Sequence, residues 1–119
     1  MSRLVIKIAS GAEALERCNQ GWMVATMGIA AGAGVSVWLT GDAVRFAQPG
    51  YAETITLEGA QSFALAVETV LADGALTACT QCLGRRGLTA DDLLPGVRIA
   101  GAAGFVEEIL SPDAKALVY

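Results

Sequence analysis

The chemically loaded stretch of this chain is Cys79-Thr80-Gln81-Cys82-Leu83-Gly84-Arg85-Arg86-Gly87. A cysteine attacks as its thiolate, so the question is whether the chain lowers a thiol pKa. Leu76 to Cys79 reads as a short apolar strand, and Thr80 to Gly87 as one or two helical turns. A cysteine at such a strand-to-helix turn lies near backbone N–H groups that lack a helical partner. Those groups, with the positive end of the helix dipole, favour the anion. Arg85 and Arg86 add positive charge if the turn folds back. The resulting thiolate suits disulfide exchange, or uptake of sulfane sulfur as a persulfide. Cys82 stands in C-x-x-C spacing, placed to resolve or shield the first sulfur. A packing role competes for both residues, because free cysteine is among the most buried residue types. Cys18 falls on an apolar helical stripe and reads as core.

Positioning such a site requires strands and helices in alternation, and the pattern supplies them. Leu4-Val5-Ile6 with Ile8 reads as a first strand. A helix follows from Ser10 or Gly11 to about Ala31. Leu15, Cys18, Trp22, Thr26 and Ile29 share one of its stripes, and Met23, Met27 and Ala30 form a second. Gly32-Ala33-Gly34 ends it. Val35 to Leu39 reads as a strand covered on both faces. A helical turn from Thr40 to Phe46 stops at Gln48-Pro49-Gly50, and Tyr51 to Leu57 reads as loop. Glu58 to Asp73 reads as a helix ended by Gly74. Beyond the cysteines come a turn at Thr89 to Asp92, a strand from Val97 to Ala100, a helix from Ala102 to Leu110, and a last strand from Ala116 to Val118. The expectation is one α/β domain over residues 1–119: a three-layer α/β/α sandwich around a mostly parallel five-stranded sheet.

Composition narrows the function classes. The 119 residues are 54% hydrophobic and 17% charged, which excludes a disordered chain. Eight Lys and Arg face twelve Asp and Glu, with no basic run, so direct nucleic-acid binding through a basic surface is not expected. With no His, imidazole-based triads and most catalytic zinc sites fall away. One C-x-x-C supplies two of the four ligands a structural zinc needs, so neither metal nor cofactor is expected. Gly28, Gly32 and Gly34 precede a strand, the wrong order for a dinucleotide fingerprint. The adjacent pairs Asp91-Asp92 and Glu107-Glu108 read as solvated faces. Cys18 to Gly41 carries no charge and is long enough to span a bilayer, but its polar residues and glycine break argue for a buried helix and a strand. Met1 to Ser10 lacks the form of a signal peptide, since Lys7 interrupts it. A cytoplasmic, non-membrane protein follows, with the Met23, Met27 and Ala30 stripe at a subunit interface.

From Thr77 to Leu88, then Leu94-Pro95-Gly96-Val97-Arg98-Ile99-Ala100-Gly101-Ala102 and Phe105-Val106, the chain resembles the DsrE/DsrF-like (TusD-like) sulfur-relay family. The carrying features are a cysteine ending the third strand, a short helix closing in Arg-Gly-Leu, and a Pro-Gly-Val strand segment. The first half matches only in pattern. The resemblance implies a five-stranded parallel sheet between helical layers. It also implies a homo-oligomer, trimeric or hexameric, or a hetero-oligomer with sister subunits. It places the sulfur-accepting cysteine at Cys79, and Cys82 at a second cysteine present in some members. The function expected is that of a sulfur carrier or sulfurtransferase holding a persulfide on Cys79 between donor and acceptor proteins. Thr80, Gln81, Arg85 and Arg86 would bind the substrate anion. Two other readings stay open: a non-catalytic oligomeric scaffold of the same fold, and a C-x-x-C thiol-disulfide oxidoreductase.

Overall fold

The structure is a computed structural model and describes residues 2–119. Five strands, β1 (Arg3–Ile8), β2 (Gly34–Leu39), β3 (Ala75–Cys79), β4 (Arg98–Ala100) and β5 (Ala114–Val118), form one sheet in the order β4-β3-β2-β1-β5. Every pairing is parallel, where the sequence suggested mostly parallel. Four helices join them: α1 (Leu15–Ala30), α2 (Phe63–Asp73), α3 (Thr80–Arg85) and α4 (Ala102–Ile109).

Alternation along the strands separates two faces. Ile6 and Ile8 of β1, Val37 and Leu39 of β2, and Leu76 and Ala78 of β3 meet α1 and α2 in the main core. The apolar α1 stripe through Cys18, Trp22 and Ala25 lies against them. Gly21 and Gly28 let α1 approach closely, because a Cβ there would meet Ile8 at 2.7 Å and Leu4 at 2.8 Å. The 3₁₀ segment Gly41–Ala47 fits the expected turn and drives Phe46 into the same layer, against Trp22 and Phe63. Among the described residues the opposite face carries only α4, so the sandwich is thick on one side and thin on the other. Gly104 and Phe105 of α4 cover Trp38 of β2, with the two rings edge-on at 5.5 Å.

That asymmetry follows from chain direction. The path β1, β2, β3, β4 steps one way across the sheet, and right-handed crossovers put its helices on one face. From β4 the chain turns back past β1 to β5, so α4 must cross the other face. The connections leaving β3 and β4 therefore part to opposite sides, and a crevice opens between them at the carboxyl ends of the strands.

Several boundaries differ from the sequence reading. The second long helix starts at Phe63 and not Glu58: Gly59 sits at φ +79, and the Ser62 side chain accepts a hydrogen bond from the Leu65 amide at 3.1 Å. Ser62 was the readable N-cap; the apolar periodicity masked it. The loop from Tyr51 to Leu57 contains a 3₁₀ turn at Ala52–Thr54, and the last strand begins at Ala114. Thr26 lies half-buried and bonded to Gln61, and Met23 and Met27 are exposed. Among the described residues no helix is long and apolar enough to cross a membrane. The uncharged span from Cys18 to Gly41 divides at Gly32, whose φ is +89. Glu108 is no solvated residue: its carboxylate is nearly buried and holds Arg3 at 3.1 Å and Arg98 at 3.5 Å.

Candidate functional site

Cys79 is the last residue of β3, paired in register with Ala100 of β4, and it precedes the first turn of α3. It therefore stands at the mouth of the crevice between the parting connections. It is half-buried, whereas Cys82 is 7% exposed and Cys18 fully buried. No disulfide joins any of the three.

The surroundings pull the Cys79 thiol below its ordinary value. Burial raises it, but the amide and thiol of Cys82, the amide of Gln81 and the Arg85 guanidinium together outweigh that effect. The amides of Gln81 and Cys82 are free to act because they open α3 and have no helical acceptor. The sequence named Arg85 for this duty and missed the other half of the arrangement. Cys82 Sγ accepts the Gly41 N–H at 3.1 Å and the Arg85 NH1 at 3.9 Å, which holds in place the thiol that helps to lower that of Cys79. Gly41 reaches this position at φ +57, with no room for a side chain beside the Ala9 carbonyl. The loop after β2 thus supports the thiol at the end of β3.

Cys18 shows the contrasting case. Burial pushes its thiol up to about 12, with the Trp22 indole opposing and Glu13 adding. Its place is in the core, where a buried neutral thiol packs as a small apolar group.

Arg86 is engaged elsewhere: Nε donates to Asp42 Oδ1 at 3.3 Å and NH1 to the Cys82 carbonyl at 3.0 Å. Asp42 also pairs with Arg45 at 3.0 Å. These contacts tie α3 to the segment after β2. Thr80 and Gln81 are exposed at the start of α3, and Arg85 is exposed at its end. Cys79 also lines a cavity of about 220 Å³ beneath the start of α4, with Lys7, Trp38, Thr40, Gly101 and Phe105. Lys7 went unrecognised as a site residue. A lysine that interrupts the apolar run from Leu4 to Ile8 in the first strand, one residue before its end, is the signal that marks it.

These features have parallels among known proteins. The DsrE/DsrF-like family model matches residues 2–115. The chain belongs to the DsrE/DsrF-like family. That family is generally associated with sulfur relay. Among solved structures, the ychN protein from E. coli is similar over the whole of both chains, with a TM-score of 0.82 at 20% identity. MTH1491 from Methanobacterium thermoautotrophicum, a protein of unknown function, matches over the whole of both chains with a TM-score of 0.72 at 16% identity. At these identities the likeness is one of fold. No curated protein matches the sequence.

Proposed function

We propose that this DsrE/DsrF-like protein is a sulfur carrier whose Cys79 holds sulfane sulfur as a persulfide, working between partner proteins in the reducing cytoplasm. The single observation that carries the reading is a half-buried Cys79 whose thiol is drawn down by the α3 amides, the Cys82 thiol and Arg85. The Cys79 thiolate attacks the outer sulfur of a donor persulfide, the donor sulfur–sulfur bond breaks, and its electron pair leaves on the donor thiolate. An acceptor thiolate then attacks the outer sulfur of the Cys79 persulfide and returns Cys79 as thiolate. Both steps are thiolate exchanges that need no oxidant. The amides of Gln81 and Cys82 hold the anion in each state, and Arg85 adds charge from the rim. Thr80 and Gln81 present their exposed side chains to the partner, and Arg86 fixes α3 through Asp42. Cys82, held by Gly41, is the group that would displace sulfide by closing a bond to Cys79.

The test is intact-mass and peptide mass spectrometry after incubation with a persulfide-bearing donor protein. One added sulfur, ~32 Da, is expected on the Cys79 peptide in the wild type and absent in Cys79→Ser. Equal labelling of the two proteins, or none in the wild type, removes the carrier reading and leaves a scaffold role. An oligomeric assembly using the exposed Met23 and Met27 belongs to the same proposal.

A further inference from the structure

The cavity that Cys79 enters is larger than one sulfur atom requires. Its volume of about 220 Å³ equals roughly seven waters at ~30 Å³ each. It falls below the ~300–1,000 Å³ of pockets for drug-sized molecules. A small ion or a side-chain tip fits it.

Lys7 supplies the charge in this cavity. Lys7 of β1 is in register with Trp38 of β2, the strand that lies between it and the β3 strand ending in Cys79. Its Nζ lies 5.2 Å from the centroid of the Phe105 ring. A cation–π contact places an ammonium but accepts none of its N–H bonds in the usual way. Among the described residues no carboxylate forms an ion pair with Lys7. The wider cleft on the other side of Trp38 differs: its cations, Arg3 and Arg98, are both engaged by Glu108. The walls around half-buried Lys7 are mostly apolar, from Trp38, Phe105 and Val106, and offer its ammonium no anionic partner. Trp38 separates the two spaces, and its indole N–H is buried without a partner.

We infer that Lys7 makes this cavity an anion seat beside Cys79, sized for a small sulfane-sulfur donor of the thiosulfate class. The inference rests on the reading that Cys79 accepts sulfur, and it names a substrate for that step. The Cys79 thiolate attacks the outer sulfur of thiosulfate. A sulfur–sulfur bond forms on Cys79, the bond to the sulfonate sulfur breaks, and its electron pair leaves as sulfite. A thiolate and a dianion enter; a persulfide anion and a dianion leave. Lys7 pairs with the sulfonate oxygens on arrival and with the charge that gathers on them at departure. A charged hydrogen bond of this kind is worth about a factor of ten or more.

The experiment compares two electrophiles of the same reactivity type, iodoacetate and iodoacetamide, on Cys79 in wild type, Lys7→Met and Lys7→Arg. Their rate ratio within each protein cancels any change in folding or thiolate fraction. The wild type is expected to favour the carboxylate reagent beyond its ratio with free cysteine, Lys7→Met to lose that preference by about tenfold, and Lys7→Arg to recover it. Thiosulfate should then add one sulfur to wild-type Cys79 and do so about tenfold more slowly in Lys7→Met. A ratio that is the same in wild type and Lys7→Met overturns the anion seat. A ratio that follows Lys7, with loading from a protein persulfide but none from thiosulfate, overturns the thiosulfate class and leaves Cys79 as acceptor. If neither donor loads Cys79, the carrier reading fails and this substrate fails with it.

Discussion

Replacing Gly41 with alanine tests how the loop after β2 supports the reactive thiol. Gly41 has φ +57, and an added Cβ would lie 2.9 Å from the Ala9 carbonyl oxygen. The left-handed conformation costs a residue with a Cβ about 1–2 kcal/mol. A clash with backbone, which relaxes poorly, adds about 1–3 kcal/mol. Gly41→Ala should therefore destabilise by about 3 kcal/mol, a large share of the ~5–15 kcal/mol that holds a domain together. At a urea slope of ~1.5 kcal/mol per molar, the unfolding midpoint falls by about 2 M. Gly87→Ala is the control. Its φ is +65, yet nothing lies within 4 Å of its added Cβ. It should cost only the conformational part, about 1–2 kcal/mol. The difference between the two isolates the contact with Ala9. Because the Gly41 amide donates to Cys82, the same variant should also slow alkylation of Cys79 while Gly87→Ala leaves it unchanged. Equal destabilisation by both substitutions would refute the packing argument. Unchanged Cys79 reactivity in Gly41→Ala would refute the relay through Cys82.

Two further outcomes follow from the thiols. Arg85→Ala should raise the Cys79 pKa and slow its alkylation at neutral pH by about two- to fivefold, the effect of one exposed charge; a rate equal to wild type would remove Arg85 from the site. Cys18 has a folded pKa raised to about 12, so its contribution to stability is complete below the ordinary thiol value. That contribution is lost as pH rises from there toward about 12. Cys18→Ala should accordingly show a shallower alkaline fall in its urea midpoint than the wild type, and parallel curves would contradict the assignment.

The strands and the cysteine turn were legible because their signals are local. Val35 to Leu39 and Leu76 to Cys79 are apolar runs between glycine-bearing breaks, and parallel strands buried on both faces read that way. The start of α2 was misplaced because Ala60 and Leu57 extend the apolar pattern past Gly59, while the deciding Ser62 cap is a single residue. The partners of Cys79 divide along the same line. Gln81, Cys82 and Arg85 lie within six residues and follow from the turn itself. Gly41 and Lys7 arrive from β2 and β1, and only the register of the sheet brings them near. Glu108 was misread for the same reason: its two arginines lie on β1 and β4, and neither is near it in sequence. The uneven sandwich depends on where the chain reverses across the sheet, which no local pattern encodes.

The central claim is that Cys79 is held as a reachable thiolate, and the pH profile of its alkylation measures this directly. Iodoacetamide labelling of the native protein, followed on the Cys79 peptide by mass spectrometry, should rise with pH to a plateau whose midpoint lies below the free-thiol value of ~8.5. Cys18 should stay unlabelled over the same range. A midpoint at or above the free-thiol value, or labelling of Cys79 only after the protein is unfolded, would contradict the account.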